Sequence, residues 1–504
     1  MLDPLRFLPP GTLPTGEPPT IDPTVRRSLA DALAVANDAY GHPCARELAD
    51  KLADPATRVI VTGQQPGLFG GALLALSKTV AAVRWAEALE ASGVPAVAVF
   101  WVATEDHDWS ESTTTTFLDQ SGALTLDLGE DPSPLLPLGM RTLGGGLPAV
   151  VDQVRDILRG DEASGRLDQA LAWYRPDARF GEAFSRLMIG ILGDRAPLYL
   201  DSMLPALKTL QAPALRRLIE RRAELDAGYR AADAAIEASG LPLQVHPQPG
   251  VSPLFLLQGP ERRRIEWRGE DRFVLRGLDD EQPVERLFEI LDENPSVISP
   301  GVLARPAIQD AVLGSFLQVM GPGEMSYLAQ VAPTYRLLGF DAPWTSLRPQ
   351  TLVLDARQAR YLDELGLSVP DLLARPAETL VAERLGEDPV APARERIAAV
   401  LAELRESVLA LDANLEKPFG KTRDQIDRGL DAFSKKVSGS IARKNDVWLR
   451  RVQQTRDSLM PGGKLQEREL STLYLWGRHG QALVDAMFEQ LDLDPRALRP
   501  VRLG

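Results

Sequence analysis

Cysteine is almost absent from this chain. Of its 504 residues only Cys44 is a cysteine, which excludes an internal disulfide framework and a cysteine-built metal cluster. No apolar run approaches the roughly 18 to 20 uncharged residues that a membrane helix needs, so no membrane partner is expected. The opening stretch "MLDPLRFLPPGTLPTGEPP" is proline-rich and lacks the basic start, apolar block and cleavage site of a secretory signal, and the cytoplasm is the expected compartment. A basic surplus is missing too. The formal net charge of −14 argues against phosphate-backbone binding, and nucleic acid is not an expected partner. No internal repeat or further low-complexity tract is visible. What is present, 44% hydrophobic and 25% charged residues, is the composition of a globular protein, and the length calls for two or three folded units.

The first of these reads as β-α-β. Residues 58–62 are β-branched or apolar, a glycine loop follows, and Leu73, Leu74, Leu76, Val80, Val83, Ala86 and Leu89 recur at helical spacing before Gly93 and Pro95. "VPAVAVFWVAT" is then a continuous apolar run, as in a parallel strand buried on both faces. The pattern predicts an open α/β sheet, in which ligands bind beyond the carboxyl ends of the strands. Residues 150–240 read as mostly helical, with a strand over Pro197–Leu200 ending at Asp201. "SPLFLLQGPERRRIEWRGEDRFVLRG", residues 252–277, reads as an antiparallel hairpin, and "LRPQTLVLD" as a late strand. The helices and the hairpin are read as insertions, mainly over about 120–290, into a core spanning 1–388, and residues 301–355, with the late strand, return to α/β character.

Residues 389–460 change character. Ile397, Leu401, Leu404, Val408, Leu411 and Leu415 are spaced four and three apart, the seam of a coiled coil. After a break at "EKPFGK", Ile426, Leu430, Phe433, Val437 and Ile441 continue the stripe, and Trp448 and Val452 extend it. Two long antiparallel helices are predicted, the second spanning on the order of 55 Å. Residues 461–504 then return as helices.

Both chemically loaded stretches fall at predicted strand ends. "VTGQQPGLFGG" lacks the GKS/T ending of a phosphate-cradling loop and the GxGxxG spacing of a dinucleotide site, and Lys78 lies about two turns into the helix, too far along to be a phosphate-loop lysine. Gly63, Gly67, Gly70 and Gly71 permit turns closed to other residues, the helix start favours an anion, and Gln64 and Gln65 add neutral donors and acceptors. The alternative is a tight turn with glycines for packing. "TEDHD" delivers Glu105, Asp106, His107 and Asp108 together, a crowding suited to acid–base chemistry, with a polar helix cap as its alternative. No HxxxH or HxH spacing marks a metal site, and a divalent ion is left open. His42, His246 and His479 are isolated and read as structural or exposed.

In order along the chain, "VTGQQPGLFGG", "FWVATEDHDWSE", "SPGVLARPAIQD", "GPGEMSYLAQ" and "KLQEREL" resemble the signature stretches of the BshC family, the cysteine-adding enzymes of bacillithiol biosynthesis. The resemblance runs from about residue 58 to about residue 490, departing where a family tyrosine is replaced within Gly71-Ala72-Leu73-Leu74. It implies a Rossmann-like parallel-sheet core with inserted connecting segments and an α-helical coiled-coil arm. It also implies a homodimer formed through that arm, and a ligase joining the carboxyl group of cysteine to the amine of glucosaminyl malate.

Such an amide requires an activated carboxyl group, so an adenine nucleotide (ATP/ADP) is expected. His107 or a neighbouring carboxylate would deprotonate the amine. Gly321, Gly323, Glu324, Tyr327 and Gln330 would form a second wall of the site, with Arg305 and Asp310 positioning charged groups. The resemblance further implies ADP binding away from the main pocket, for which Lys464, Gln466, Glu467 and Arg468 are candidates, with a surface ion-pair cluster as the alternative. A class I synthetase-like nucleotidyltransferase would need HIGH-type or KMSKS-type sequence, and neither is seen. A non-catalytic dimeric coiled-coil protein is the other rival.

Overall fold

Four consecutive β-branched residues, Val59 to Thr62, make the strand Arg58–Gln64. In the computed structural model, which describes residues 4–119, 122–246, 248–385, 390–496 and 498–504, it lies near the middle of a six-stranded parallel sheet. The order is Arg6–Phe7, Trp344–Leu347, Ser315–Met320, Arg58–Gln64, Ala96–Val102, Leu198–Asp201. All seven residues of Ala96–Val102 are buried, as its unbroken apolar run requires. Val59, Val61, Val97, Val99 and Trp101 pack on one face against Leu29, Leu33 and Leu52. On the other, Phe100 meets Phe184 and Tyr199 at ring distances of 5.6 and 5.3 Å.

The chain leaves Arg58–Gln64 toward Ala96–Val102 and later returns to the opposite side as Ser315–Met320. The strand order therefore reverses between Arg58–Gln64 and Ser315–Met320, the place where open parallel sheets bind ligands. The connecting segments are helices, among them Leu147–Ile157, Phe180–Leu192 and Pro205–Glu220, and a second sheet. That sheet is antiparallel and ordered Gln282–Pro283, Arg272–Leu275, Glu261–Arg268, Val251–Gln258, Ile298–Pro300. Leu254, Leu256, Ile265 and Phe273 bury it against Leu215, Leu218, Val331 and Tyr335.

The structure divides into two units, one running up to Thr351 and including Glu467–Arg499, the other Leu352–Gln466 with Pro500–Gly504. The boundary anticipated at 388/389 lies outside the described residues; the observed one is earlier, because Ala377–Leu385 packs with the helices of the arm. The predicted late strand over "LRPQTLVLD" is shorter than expected, and the strand that joins the parallel sheet lies before it, sharing only Leu347. Trp344–Leu347 joins the parallel sheet, while Val353–Leu354 pairs with Val501–Arg502 inside the second unit.

The arm itself is Val390–Leu411 and Glu416–Lys444. Its break is at Asp412–Leu415 and not at "EKPFGK", because Pro418 sits in the first helical turn, where a missing N–H costs nothing. The second helix stops at Asn445 (φ −114°, ψ 44°) and Asp446–Leu459 starts afresh, so its span is about 43 Å and not 55 Å. Among the described residues no helix is long and apolar enough to cross a membrane.

Candidate active site

The glycine loop folds back on itself. A Cβ at Gly67 would lie 2.6 Å from the Gly71 Cα, and one at Gly63 would lie 2.7 Å from the Trp101 carbonyl oxygen, so neither position admits a side chain. Between them Phe69 holds a left-handed φ of 54°, a strained conformation for a non-glycine residue. Packing over-determines it. The ring is fully buried, 4.9 Å from Tyr174 and 6.4 Å from Phe117.

The start of the following helix does not face a ligand. Leu73 N–H donates to Leu470 O at 2.8 Å, Thr472 N–H donates to Gly71 O at 2.8 Å, and Ala72 bridges to Ser471. Leu470–Thr472 thus covers the helix terminus expected to favour an anion. Gly67, Gly70 and Gly71 are packing glycines, and of the four only Gly63 lines a cavity.

That cavity has a volume of about 570 Å³ and sits beyond the carboxyl ends of the parallel strands. Gln64 ends one strand, Glu105, Asp106 and His107 follow the next, and Gly321, Gly323, Glu324 and Tyr327 follow Ser315–Met320. Gln65, Arg305 and Arg468 complete the set of anticipated residues that line it.

Lys78, too far along its helix to be a phosphate-loop lysine, nevertheless lines the cavity. Helical side chains lean toward the N-terminus, and Lys78 reaches back along its helix to the strand end. Its Nζ donates to Gly63 O at 2.8 Å and Gln64 Oε1 at 3.0 Å, and it is ion-paired with Glu324. Burial lowers the Lys78 ammonium, offset in part by Glu324. Burial alone would raise the Glu324 carboxyl, but the charge and hydrogen bond of Lys78 bring it below its ordinary value.

The glutamines orient charged neighbours. Gln65 Nε2 donates to Asp106 Oδ2 at 2.6 Å and Gln64 Nε2 to Glu111 Oε1 at 3.4 Å. Glu105 is buried, ion-paired with Lys208, and its Oε2 has no hydrogen-bond partner. The Glu111 carboxyl is raised, first by burial and then by the negative charges of Asp108 and Asp106.

The inserted sheet brings what sequence proximity hides. Phe255, Arg262 and Arg264 line the cavity from strands more than 100 residues beyond His107. Arg262 Nη1 lies 3.4 Å from His107 Nδ1. Burial lowers the His107 imidazole below its ordinary value, and the Arg262 charge adds to this. Arg264, Arg305 and Arg468 form no ion pair among the described residues, whereas Arg348, also in the lining, is paired with Glu467.

Several anticipated site residues stand elsewhere. Asp108 caps the helix Trp109–Thr113, its Oδ1 accepting from Glu111 N–H at 3.1 Å, so the capping alternative describes it. Asp310 is buried beneath the site, accepting from Gln318 and Tyr335, both at 2.5 Å, and burial raises its carboxyl to about 6. Gln330 is bound to Asp233 and the Val245 backbone.

Of the residues proposed to touch nucleotide, Glu467 accepts both Arg348 Nη atoms and the Thr351 N–H, and Gln466 is bonded to Val353 in the second unit. Burial in these internal bonds leaves neither side chain open to a ligand. Lys464 belongs to the second unit, and Arg468 alone of the four lines the cavity. His42 is buried against Ala196 O and Pro197 O, a structural histidine. Among the described residues no cluster of three His, Cys, Asp or Glu is arranged to hold a metal ion.

Comparison with known proteins agrees with this architecture. Residues 17–349 match the family model "Bacillithiol biosynthesis BshC, N-terminal Rossmann-like domain", and residues 351–494 match "Bacillithiol biosynthesis BshC, C-terminal coiled-coil domain". A relative from Salinibacter ruber is 32% identical over 486 residues, covering 94% of this chain and 88% of its own. One from Solibacter usitatus is 29% identical over 466 residues, covering 88% and 84%. A third, from Chlorobaculum tepidum, is 28% identical over 495 residues, covering 92% and 86%. Each bears the name "Putative cysteine ligase BshC".

Proposed function

The chain belongs to the BshC family of bacillithiol biosynthesis, and from that premise we propose that it joins the carboxyl group of cysteine to the amine of glucosaminyl malate as an amide. The observation that carries this reading is the charge arrangement of the cavity. Arg264, Arg305 and Arg468, which form no ion pair among the described residues, line it together with the acidic set Glu105, Asp106, Glu111 and Glu324. Planar guanidinium forks suit the carboxylates of a malate group or a phosphate, and the acidic set suits an amine.

A free carboxylate and an ammonium ion do not condense unaided. An adenine nucleotide is therefore the proposed co-substrate, supplying an acyl phosphate or acyl adenylate of cysteine. Glu111 is the proposed proton acceptor for the amine, because its raised carboxyl sits closer to neutral pH than an ordinary one. The arm is proposed to form a homodimer: Val400, Leu404, Leu411 and Phe433 are 61, 49, 84 and 58% exposed on a coiled-coil element.

Mass spectrometry of the purified protein with cysteine, glucosaminyl malate and ATP tests the reading. Amide product is expected, with Arg305→Met raising KM for the malate-bearing substrate at least about 10-fold. Nucleotide breakdown independent of the amine, with no amide formed, would overturn it.

A further inference from the structure

We infer that His107 acts as a hydrogen-bond donor through Nε2, aimed at the acyl oxygen of the reacting group, and that Arg262 is the positioning residue that fixes its tautomer. The identity of the oxygen rests on the ligase reading; the tautomer does not.

A guanidinium has donors only. With Arg262 Nη1 3.4 Å from His107 Nδ1, that nitrogen is the acceptor, and a neutral imidazole accepting at Nδ1 carries its proton on Nε2. Arg262 is held in place. Its Nε donates to Ser299 Oγ at 2.9 Å, its Nη2 to Pro300 O at 3.1 Å, and its guanidinium carbon lies 3.8 Å from the Phe255 ring centre.

The competing acceptor for an Nδ1 proton is Asp106, and it is taken. Asp106 Oδ1 is 3.9 Å from Nδ1, beyond hydrogen bonding, and accepts the His107 backbone N–H at 2.7 Å. Asp106 Oδ2 accepts Gln65 Nε2. Among the described residues nothing is bonded to His107 Nε2, and the ring lines the cavity.

A nitrogen that already carries a proton cannot accept another, so this tautomer moves the base role from His107 to a carboxylate. During the reaction the amine nitrogen bonds to the activated acyl carbon and the carbonyl π pair moves onto oxygen, where the Nε2–H meets the developing charge. The pair returns as the bond from the acyl carbon to the phosphate-group oxygen breaks and that group leaves with its electrons; the amine proton goes to Glu111. Removing one donor of this kind costs about 100-fold to 1,000-fold in kcat.

The whole chain labelled with ¹⁵N-histidine tests the tautomer, since only four imidazoles contribute and His107→Gln identifies the one concerned. In the unaltered protein the non-protonated nitrogen should be Nδ1, and Arg262→Met should turn that single tautomer into a mixture. In steady-state assays His107→Gln, which restores an N–H near Nε2 but no basic nitrogen, should keep kcat within about 10-fold of native. His107→Ala should lose about 100-fold or more with KM little changed. A proton on Nδ1 in the unaltered protein, or a folded His107→Gln as slow as His107→Ala, overturns the inference. Failure of the unaltered protein to form any amide would bring down the ligase reading and the assigned oxygen, while the spectra still decide the tautomer.

Discussion

Two buried carboxylates set the energetics at the scale of single residues. Lys208 and Glu105, with side chains 1 and 7% exposed, are paired where neither is solvated. Removing one partner strands the other, so Lys208→Met should cost about 3 to 5 kcal/mol of unfolding free energy, while Lys208→Met with Glu105→Gln should recover most of it. Urea denaturation of both variants checks this; equal losses would mean that the pair is not what holds the position. Asp310 titrates in the opposite sense from an ordinary ion-paired carboxylate. Burial raises it from 3.8 unfolded to about 6 folded, so its contribution is complete below about 3.8 and lost as pH rises through about 6. The stability margin of the native chain over Asp310→Asn should therefore narrow by on the order of 3 kcal/mol between about pH 4 and pH 7. Denaturation at both pH values measures the margin, and a widening would refute the assignment.

Elements show why the loop glycines differ in meaning. Gly67→Ala forces a Cβ onto the Gly71 backbone and should lower stability by about 1 to 3 kcal/mol, whereas Gly323, with nothing within 4 Å of its Cβ position, should accept alanine without a change in Tm. Melting curves of the two variants separate packing from lining. The same contrast marks what was legible in the sequence. Strands Arg58–Gln64 and Ala96–Val102 and the heptads of the arm are readable because the local pattern of apolar residues writes them, whereas the hairpin read over 252–277 proves to be three antiparallel strands, Val251–Gln258, Glu261–Arg268 and Arg272–Leu275. Gln64, Gln65, Glu105 and His107 were placed at the cavity because a strand end delivers neighbours in sequence to one spot. The cavity-lining place of Lys78 is not legible from its distance along the helix, because its reach depends on the side chain. Arg262 and Arg264 carry no local signal at all. Their alternation with Ile265 describes a half-buried strand equally well, and only the pairing of that strand beside Val251–Gln258 turns them toward His107. Leu470–Thr472 was equally hidden, since nothing in a chain segment announces which distant helix start it will cover.

At the scale of the whole molecule, light scattering should give twice the 55.0 kDa chain mass, and Leu404→Arg with Leu411→Arg should halve it without loss of helical signal. A monomer from the unaltered chain at micromolar concentration would refute the dimer. The path of the backbone carries a consequence of its own. The parallel sheet needs Glu467–Arg499 to finish its unit, and the helix behind the glycine loop is covered by Leu470–Thr472. A chain growing on the ribosome thus makes both glutamines, the acidic stretch and the inserted sheet long before the segment that locks the loop emerges. Until that segment emerges the loop is unlocked, with the strained turn at Phe69 lacking its Ser471 neighbour on one side, so closure of the site waits on chain made some 400 residues after the loop itself.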